Sequence, residues 1–207
     1  MTAVKFCGLR RREDIEYVNL TRPDYVGFIL SDGFKRSVTA EEFSVLQKGL
    51  DKNIKKVGVF VNERPSKVIE LAKRLDVIQL HGDEDFSTVL YYSEKTECEI
   101  WKAVRAKNPE DIEHHRWGHI DKLLIDSFSE NGVGGTGVRI NTDVVTSAEI
   151  TKPFFIAGGI TAENIAEIIK KTKPFGVDIS SGTETDGFKD LNKMKQIMQI
   201  LKEENLR

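Results

Sequence analysis

Ile156-Ala157-Gly158-Gly159-Ile160-Thr161 and Val177-Asp178-Ile179-Ser180-Ser181-Gly182 are the stretches that decide the fold. Each begins as a short β-branched run and breaks into glycine and serine. A run of that length and composition reads as a buried strand. Glycine directly behind it lets backbone amides come close to an anion, and a following helix adds the positive end of its dipole. Ordinary tight turns would explain one such loop. Two in succession near the end of a strand-rich chain point to a phosphate cradle made of Gly158, Gly159, Ser180, Ser181 and Gly182.

Working outward, similar apolar runs recur at residues 4–7, 25–30, 56–61, 77–80, 100–104 and 122–126, with the quoted pair supplying 154–157 and 176–179. Helical signals lie between them. Residues 11–20 have apolar periodicity, Thr39-Ala40-Glu41-Glu42 is a capping box, and Pro65 suits a first helical position. Asn108-Pro109-Glu110-Asp111 and Thr161-Ala162-Glu163-Asn164 read as helix starts, and residues 190–202 as a final helix. The segments after Asp83 and at 142–150 carry weaker signals. Strand–helix alternation without a linker calls for a parallel sheet with right-handed crossovers. Polar or glycine-rich residues follow at least five of the strands: Cys7-Gly8, His81-Gly82, Asp126-Ser127, Gly158-Gly159 and Ser180-Ser181. One switch-point crevice would not need so many. A barrel gathers all its strand ends on one rim. The expectation is a single-domain α/β chain, a (β/α)8 TIM barrel over residues 1–207.

Bulk composition narrows the partners. Of the 207 residues, 31 are Lys or Arg and 33 are Asp or Glu, a net charge of −2. That balance gives no field for a nucleic-acid partner. Two cysteines in a chain this long do not make a disulfide framework, which favours a reducing cytoplasm. Neither a signal core nor a membrane-length apolar run is visible, so a cytoplasmic protein that crosses no membrane is expected. Monomer and homodimer both stay open.

The rim supplies the candidate chemistry. Cys7 ends the first strand. A free cysteine is usually a small buried hydrophobe, but a rim thiol of lowered pKa can act as base or nucleophile. Asp126 follows Leu123-Leu124-Ile125, and a carboxyl group there is costly unless it reaches the rim or a partner. Burial would raise its pKa and suit it to donate a proton. Arg36, in the loop after the second strand, can clamp a carboxylate through two hydrogen bonds or simply be solvated. His81 is a pocket residue or a structural histidine. The glycine-rich segment 129–137 suits a lid. Cys98 precedes its strand and is assigned to packing. His114, His115 and His119 lack metal-ligand context, so no metal is expected. Arg10-Arg11-Arg12 reads as a solvated helix start. No Gly-x-Gly-x-x-Gly follows the first strand and no Walker sequence occurs, so no nucleotide cofactor is expected.

The ordered set Lys5-Phe6-Cys7-Gly8-Leu9, Val57-Gly58-Val59-Phe60-Val61-Asn62, Gln79-Leu80-His81-Gly82, Leu124-Ile125-Asp126-Ser127, Gly134-Gly135-Thr136-Gly137, Ala157-Gly158-Gly159-Ile160 and Val177-Asp178-Ile179-Ser180-Ser181-Gly182 resembles the phosphoribosylanthranilate isomerase family of tryptophan biosynthesis. The resemblance implies a cofactor-free aldose–ketose isomerase acting on N-(5-phosphoribosyl)anthranilate. It assigns Cys7 as general base, Asp126 as general acid, Arg36 as the anthranilate carboxylate clamp and the two Gly/Ser loops as the phosphate grip. Phe34-Lys35-Arg36 departs from the Ser-x-Arg pattern common in that family. The alternatives are another isomerase or epimerase on a phosphate-binding barrel, a lyase using Lys102, and a non-catalytic sugar-phosphate sensor. The epimerase would need metal-ligating histidines at strand ends. The sensor would need no Cys7 beside Asp126.

Overall fold

The β-branched and aromatic runs form eight strands, which the computed structural model describes along with everything else in residues 1–114, 118–128 and 139–207. They are β1 Ala3–Cys7, β2 Tyr25–Ile29, β3 Lys55–Phe60, β4 Val77–Leu80, β5 Glu99–Ala106, β6 Lys122–Ser127, β7 Phe154–Ile156 and β8 Gly176–Ile179. All pair in parallel with their sequence neighbours, and β1 also pairs with β8, so the sheet closes as a barrel in chain order. The expected architecture is the observed one.

The crossovers carry helices α1 Arg12–Thr21, α2 Ala40–Leu46, α3 Pro65–Ala72, α4 Phe86–Lys95, α5 Pro109–Glu113, α6 Thr142–Ser147, α7 Ile165–Thr172 and α8 Leu191–Glu203. Their starts follow local chemistry. Thr39 and Glu42 cap each other's backbone at α2, and Pro65 opens α3. The weakly signalled α4 and α6 are capped by the Asp85 and Asn141 side chains. One start differs from expectation. Residues 161–164 form a turn and α7 begins at Ile165, because the Asn164 side chain accepts from Thr161 N at 2.9 Å and donates to Gly159 O at 2.9 Å. That asparagine braces the glycine loop after β7. A second difference is a short antiparallel hairpin beyond the eighth strand, β9 Glu184–Thr185 with β10 Phe188–Lys189.

Two apolar layers hold the molecule. Outside the ring, Ile15 and Val18 of α1, Val68 and Leu71 of α3, Ile168 of α7 and Ile197 of α8 are buried against outward strand residues. Burying each such side chain contributes roughly 1.5–3 kcal/mol. Inside the ring, Tyr25, Trp101 and Phe155 pack with ring centroids 4.5–5.4 Å apart and fill the N-terminal end. A side chain at Gly176 would put its Cβ 2.3 Å from the Phe155 ring, so glycine there makes room for the plug. The plug leaves polar inward positions only toward the other end. Among the described residues no helix is long and apolar enough to cross a membrane.

Candidate active site

Alternate strand residues face inward, so Lys5 and Cys7 share the barrel-facing side of β1. Gly27 is the register partner of Cys7. A Cβ built at Gly27 would lie 2.6 Å from Cys7 Sγ and 3.2 Å from Lys5 Nζ, so the missing side chain is what lets thiol and ammonium occupy one space. Lys5 is fully buried, and its Nζ lies 2.9 Å from Oδ1 of Asp178, its register partner on β8. Both atoms of this ion pair lack a well-directed hydrogen bond. Burial pulls the Lys5 ammonium pKa down, but the charges of Asp178 and Cys7 outweigh it and the net shift is upward. For Cys7 burial dominates and pushes the thiol up, while Lys5 pulls against it and Asp178 adds to it. The lowered thiol pKa that a rim base would want is therefore not what this pocket gives by itself.

Asp126 points inward from the top of β6, three strands from β1 around the closed ring. Its Oδ1 accepts from Ser127 N at 2.8 Å and its Oδ2 faces His81 Nε2 at 3.5 Å. Gln79, two residues before His81 on the same face, places its amide nitrogen 2.9 Å from His81 Nδ1. An amide N–H donating there makes Nδ1 the acceptor and puts the ring proton on Nε2, toward Asp126. His81 Nε2 and Gln79 Oε1 are themselves buried without a hydrogen-bond partner. The buried side-chain atoms left unpartnered among the described residues all belong to Lys5, Gln79, His81 and Asp178. Orphaned buried polar atoms are rare and need a reason, and a pocket for a polar ligand supplies one.

A cavity of about 280 Å³ opens among these groups. Cys7, Arg36, His81, Asp126, Gly158, Gly159, Ser180 and Ser181 line it, so seven of the eight expected site residues meet there together with His81. Gly182 does not line it. A Cβ at Gly182 would fall 1.9 Å from the Ile160 carbonyl oxygen, so this glycine lets the loops after β7 and β8 touch. Gly158 and Gly159 have φ of +95° and +59°, a region other residues enter at a cost. A Cβ at Gly158 would also strike Ser127 Oγ at 2.6 Å.

Arg36 reaches the cavity but is already engaged. Its Nε and Nη2 donate to the two carboxylate oxygens of Glu184 at 2.6 and 2.7 Å. Its stem crosses Gly8, where a Cβ would meet Arg36 Cδ at 2.5 Å. Sequence reasoning missed Glu184, Lys5, Gln79 and Asp178 as parts of the site. The last three carried a signal, polar side chains inside strands otherwise apolar; Glu184 carried none. Lys102 points away from the pocket and donates to Gly82 O at 2.6 Å, which removes the strand-end lysine a lyase would use. Arg10 and Arg11 are not merely solvated: both guanidinium groups stack on Phe188 and donate to backbone carbonyls of Gly187 and Lys189. Cys98 is half-buried below β5 with Sγ 3.3 Å from Leu75 O. His114 and His119 are exposed. Among the described residues no group of three or more His, Cys, Asp or Glu is placed to hold a metal ion. The segment 129–137 and His115 lie outside the described residues.

An acid, a thiol and two glycine-bearing loops on the C-terminal rim of a closed (β/α)8 ring define a sugar-phosphate-type barrel enzyme. The model of the family described as N-(5'-phosphoribosyl)anthranilate (PRA) isomerase matches residues 4–200. The N-(5'-phosphoribosyl)anthranilate isomerase of Thermoanaerobacter sp. (strain X514) is 42% identical over 201 residues, 96% of this chain and 97% of the relative. The phosphoribosyl anthranilate isomerase of Thermotoga maritima has a crystal structure that superposes with a TM-score of 0.86 at 28% identity, over 98% of this chain and all of that one. A complex of phosphoribosyl anthranilate isomerase with reduced 1-(o-carboxyphenylamino)-1-deoxyribulose 5-phosphate superposes with a TM-score of 0.83 at 28% identity, with the same coverage. The chain belongs to the N-(5'-phosphoribosyl)anthranilate isomerase family.

Proposed function

We propose that the protein catalyses the Amadori rearrangement of N-(5-phosphoribosyl)anthranilate to 1-(2-carboxyphenylamino)-1-deoxyribulose 5-phosphate, a step of tryptophan biosynthesis in the cytoplasm. The observation that carries the reading is one cavity lined by Cys7, Asp126, Arg36 and the glycine-bearing loops of β7 and β8. In this reading the loops hold the phosphate and Arg36 holds the anthranilate carboxylate. The two anchors keep the sugar in register between acid and base.

Protonated Asp126 gives its proton to the furanose ring oxygen. The C1′–O bond breaks as the anthranilate nitrogen pushes its lone pair toward C1′, leaving an iminium ion. That cation acidifies the C2′ proton. It also sits beside Cys7 and favours the thiolate when a base is required, with Lys5 already pulling the same way. Cys7 takes the C2′ proton and forms an enolamine. Protonation at C1′ and loss of the C2′ hydroxyl proton give the ketone and restore both groups. Atoms balance with no external oxidant or reductant. Each proton-transfer group contributes roughly 10²–10⁴-fold. His81 Nε2 faces Asp126 Oδ2 at 3.5 Å and stands beside the carboxylate once its proton has left.

The test is anthranilate-type substrate fluorescence, which decays as the aminoketone forms. Cys7→Ser and Asp126→Asn are each expected to lower kcat by about 10²–10⁴-fold while inhibition by inorganic phosphate stays close to wild type. Full activity in Cys7→Ser removes the base assignment. Phosphate binding with no turnover in the unsubstituted protein would favour the sensor reading.

A further inference from the structure

Arg36 carries five N–H donors, and Glu184 takes two of them along one edge. The hydrogens of Nη1 and the second Nη2 hydrogen remain for another carboxylate at the opposite edge. Glu184 is in turn held by Lys189, whose Nζ lies 2.9 Å from Glu184 Oε1. The same Nζ donates to Ser180 O at 2.9 Å and Thr183 Oγ1 at 3.2 Å. Lys189 is only 4% exposed, so this ammonium has no solvent to fall back on. Ser180, one of the phosphate-loop residues, reaches back through its hydroxyl to Cys7 O at 3.2 Å. A chain of polar contacts therefore runs from the β8 loop through Lys189 and Glu184 to Arg36. It joins the Arg36 guanidinium through the Glu184 carboxylate to Lys189, whose amine burial pulls below its ordinary pKa against the opposing charge of Glu184.

We infer that Glu184, fixed by Lys189, is a positioning residue that sets the guanidinium plane of Arg36 and so makes the protein selective for N-aryl sugar phosphates bearing an ortho-carboxylate. This rests on the proposed isomerase activity. An unheld arginine would lose side-chain freedom on every binding event. A fork fixed beforehand avoids that loss and presents its donors at a set distance from the phosphate loop. Glu184 does not touch the reacting atoms in this account. Its charge would oppose the substrate's carboxylate were Lys189 not there to offset it.

The experiment compares the unsubstituted protein with Glu184→Gln on two substrates, made by condensing ribose 5-phosphate with anthranilate or with aniline. For the anthranilate compound KM is expected to rise about tenfold or more in the variant, with kcat nearly unchanged. Kinetics on the aniline compound are expected to stay at the unsubstituted level, which also reports correct folding. Equal losses on both substrates overturn the inference in favour of a purely structural network. A lower KM for anthranilate also overturns it, because Glu184 would then be competing for Arg36. Should Glu184→Gln not fold, Glu184→Asp keeps the charge but draws the fork back, and a rise confined to the anthranilate compound is again required. Failure of the unsubstituted protein to turn over either compound rejects the isomerase activity itself and is read separately.

Discussion

Lys5 has no chemical step of its own, yet its ammonium shares the inner face of β1 with Cys7. Its value depends on magnitude. Two unit charges about 4 Å apart interact by about 4 kcal/mol at an effective dielectric near 20, enough to move a thiol pKa by more than a unit. The thiol is already pushed up by burial, and Lys5 is the largest influence opposing that. Lys5→Met is therefore expected to move the ascending limb of the pH profile of kcat/KM to higher pH, since loss of the cation disfavours thiolate. An unmoved limb would show that the titrating base is not Cys7, or that Lys5 does not act on it. Cys7 and Asp126 were legible in the sequence because each ends an apolar run, where a polar residue must reach the rim. Lys5 and Asp178 were harder to read, since their roles depend on the register between β1 and β8, two strands far apart in the chain. Glu184 gave still less, because its partner Arg36 is 148 residues away.

At the level of elements, the loops do more than link strands. Glu84, after β4, accepts from Asn62 N at 2.8 Å, from Gly82 N at 2.9 Å and from Lys102 Nζ at 3.1 Å, which joins the loops after β3 and β4 to the outer side of β5. On the same strand end His81 N donates to Phe60 O at 2.7 Å, tying the end of β4 to β3. The loops after β7 and β8 meet at Gly182 and Ile160 with no space for a methyl group. Gly182→Ala must push the two halves of the phosphate cradle apart, a kind of overpacking that costs about 1–3 kcal/mol. Weakened competitive inhibition by inorganic phosphate, by about tenfold, is the expected result, with a matching rise in KM. If phosphate inhibition is unchanged while thermal stability falls, the contact is structural and the cradle lies elsewhere. Strand order and most helix starts could be read from caps and β-branched runs, which are local. The β9–β10 hairpin could not, because its pairing is short and its place is set by Arg10 and Arg11 stacking on Phe188 from the start of α1.

Across the whole molecule, chemistry and stability occupy opposite ends of the barrel. The floor is the Tyr25, Trp101 and Phe155 plug, and Glu99 beside it binds three strands. Its carboxylate accepts from Lys122 Nζ at 2.5 Å, Trp101 Nε1 at 2.9 Å and Lys55 Nζ at 3.1 Å. Burial alone would raise the Glu99 pKa, but these donors and the Lys122 charge outweigh it and bring it from 4.5 down to about 2. A carboxyl group depressed on folding adds stability that is fully present above its unfolded value and is lost as pH falls through the folded one. The window here is 4.5 down to about 2. Glu99→Gln is expected to lower the urea midpoint at neutral pH and to flatten its fall across that window. The difference between the two proteins is expected to shrink as salt is added, because the site is partly exposed and its charges are screened. Parallel decline of both proteins from pH 4.5 to 2 would place the acid sensitivity elsewhere. Activity at pH 7 should be indifferent to Glu99→Gln as long as the barrel is folded, since the aromatic plug separates this cluster from the cavity.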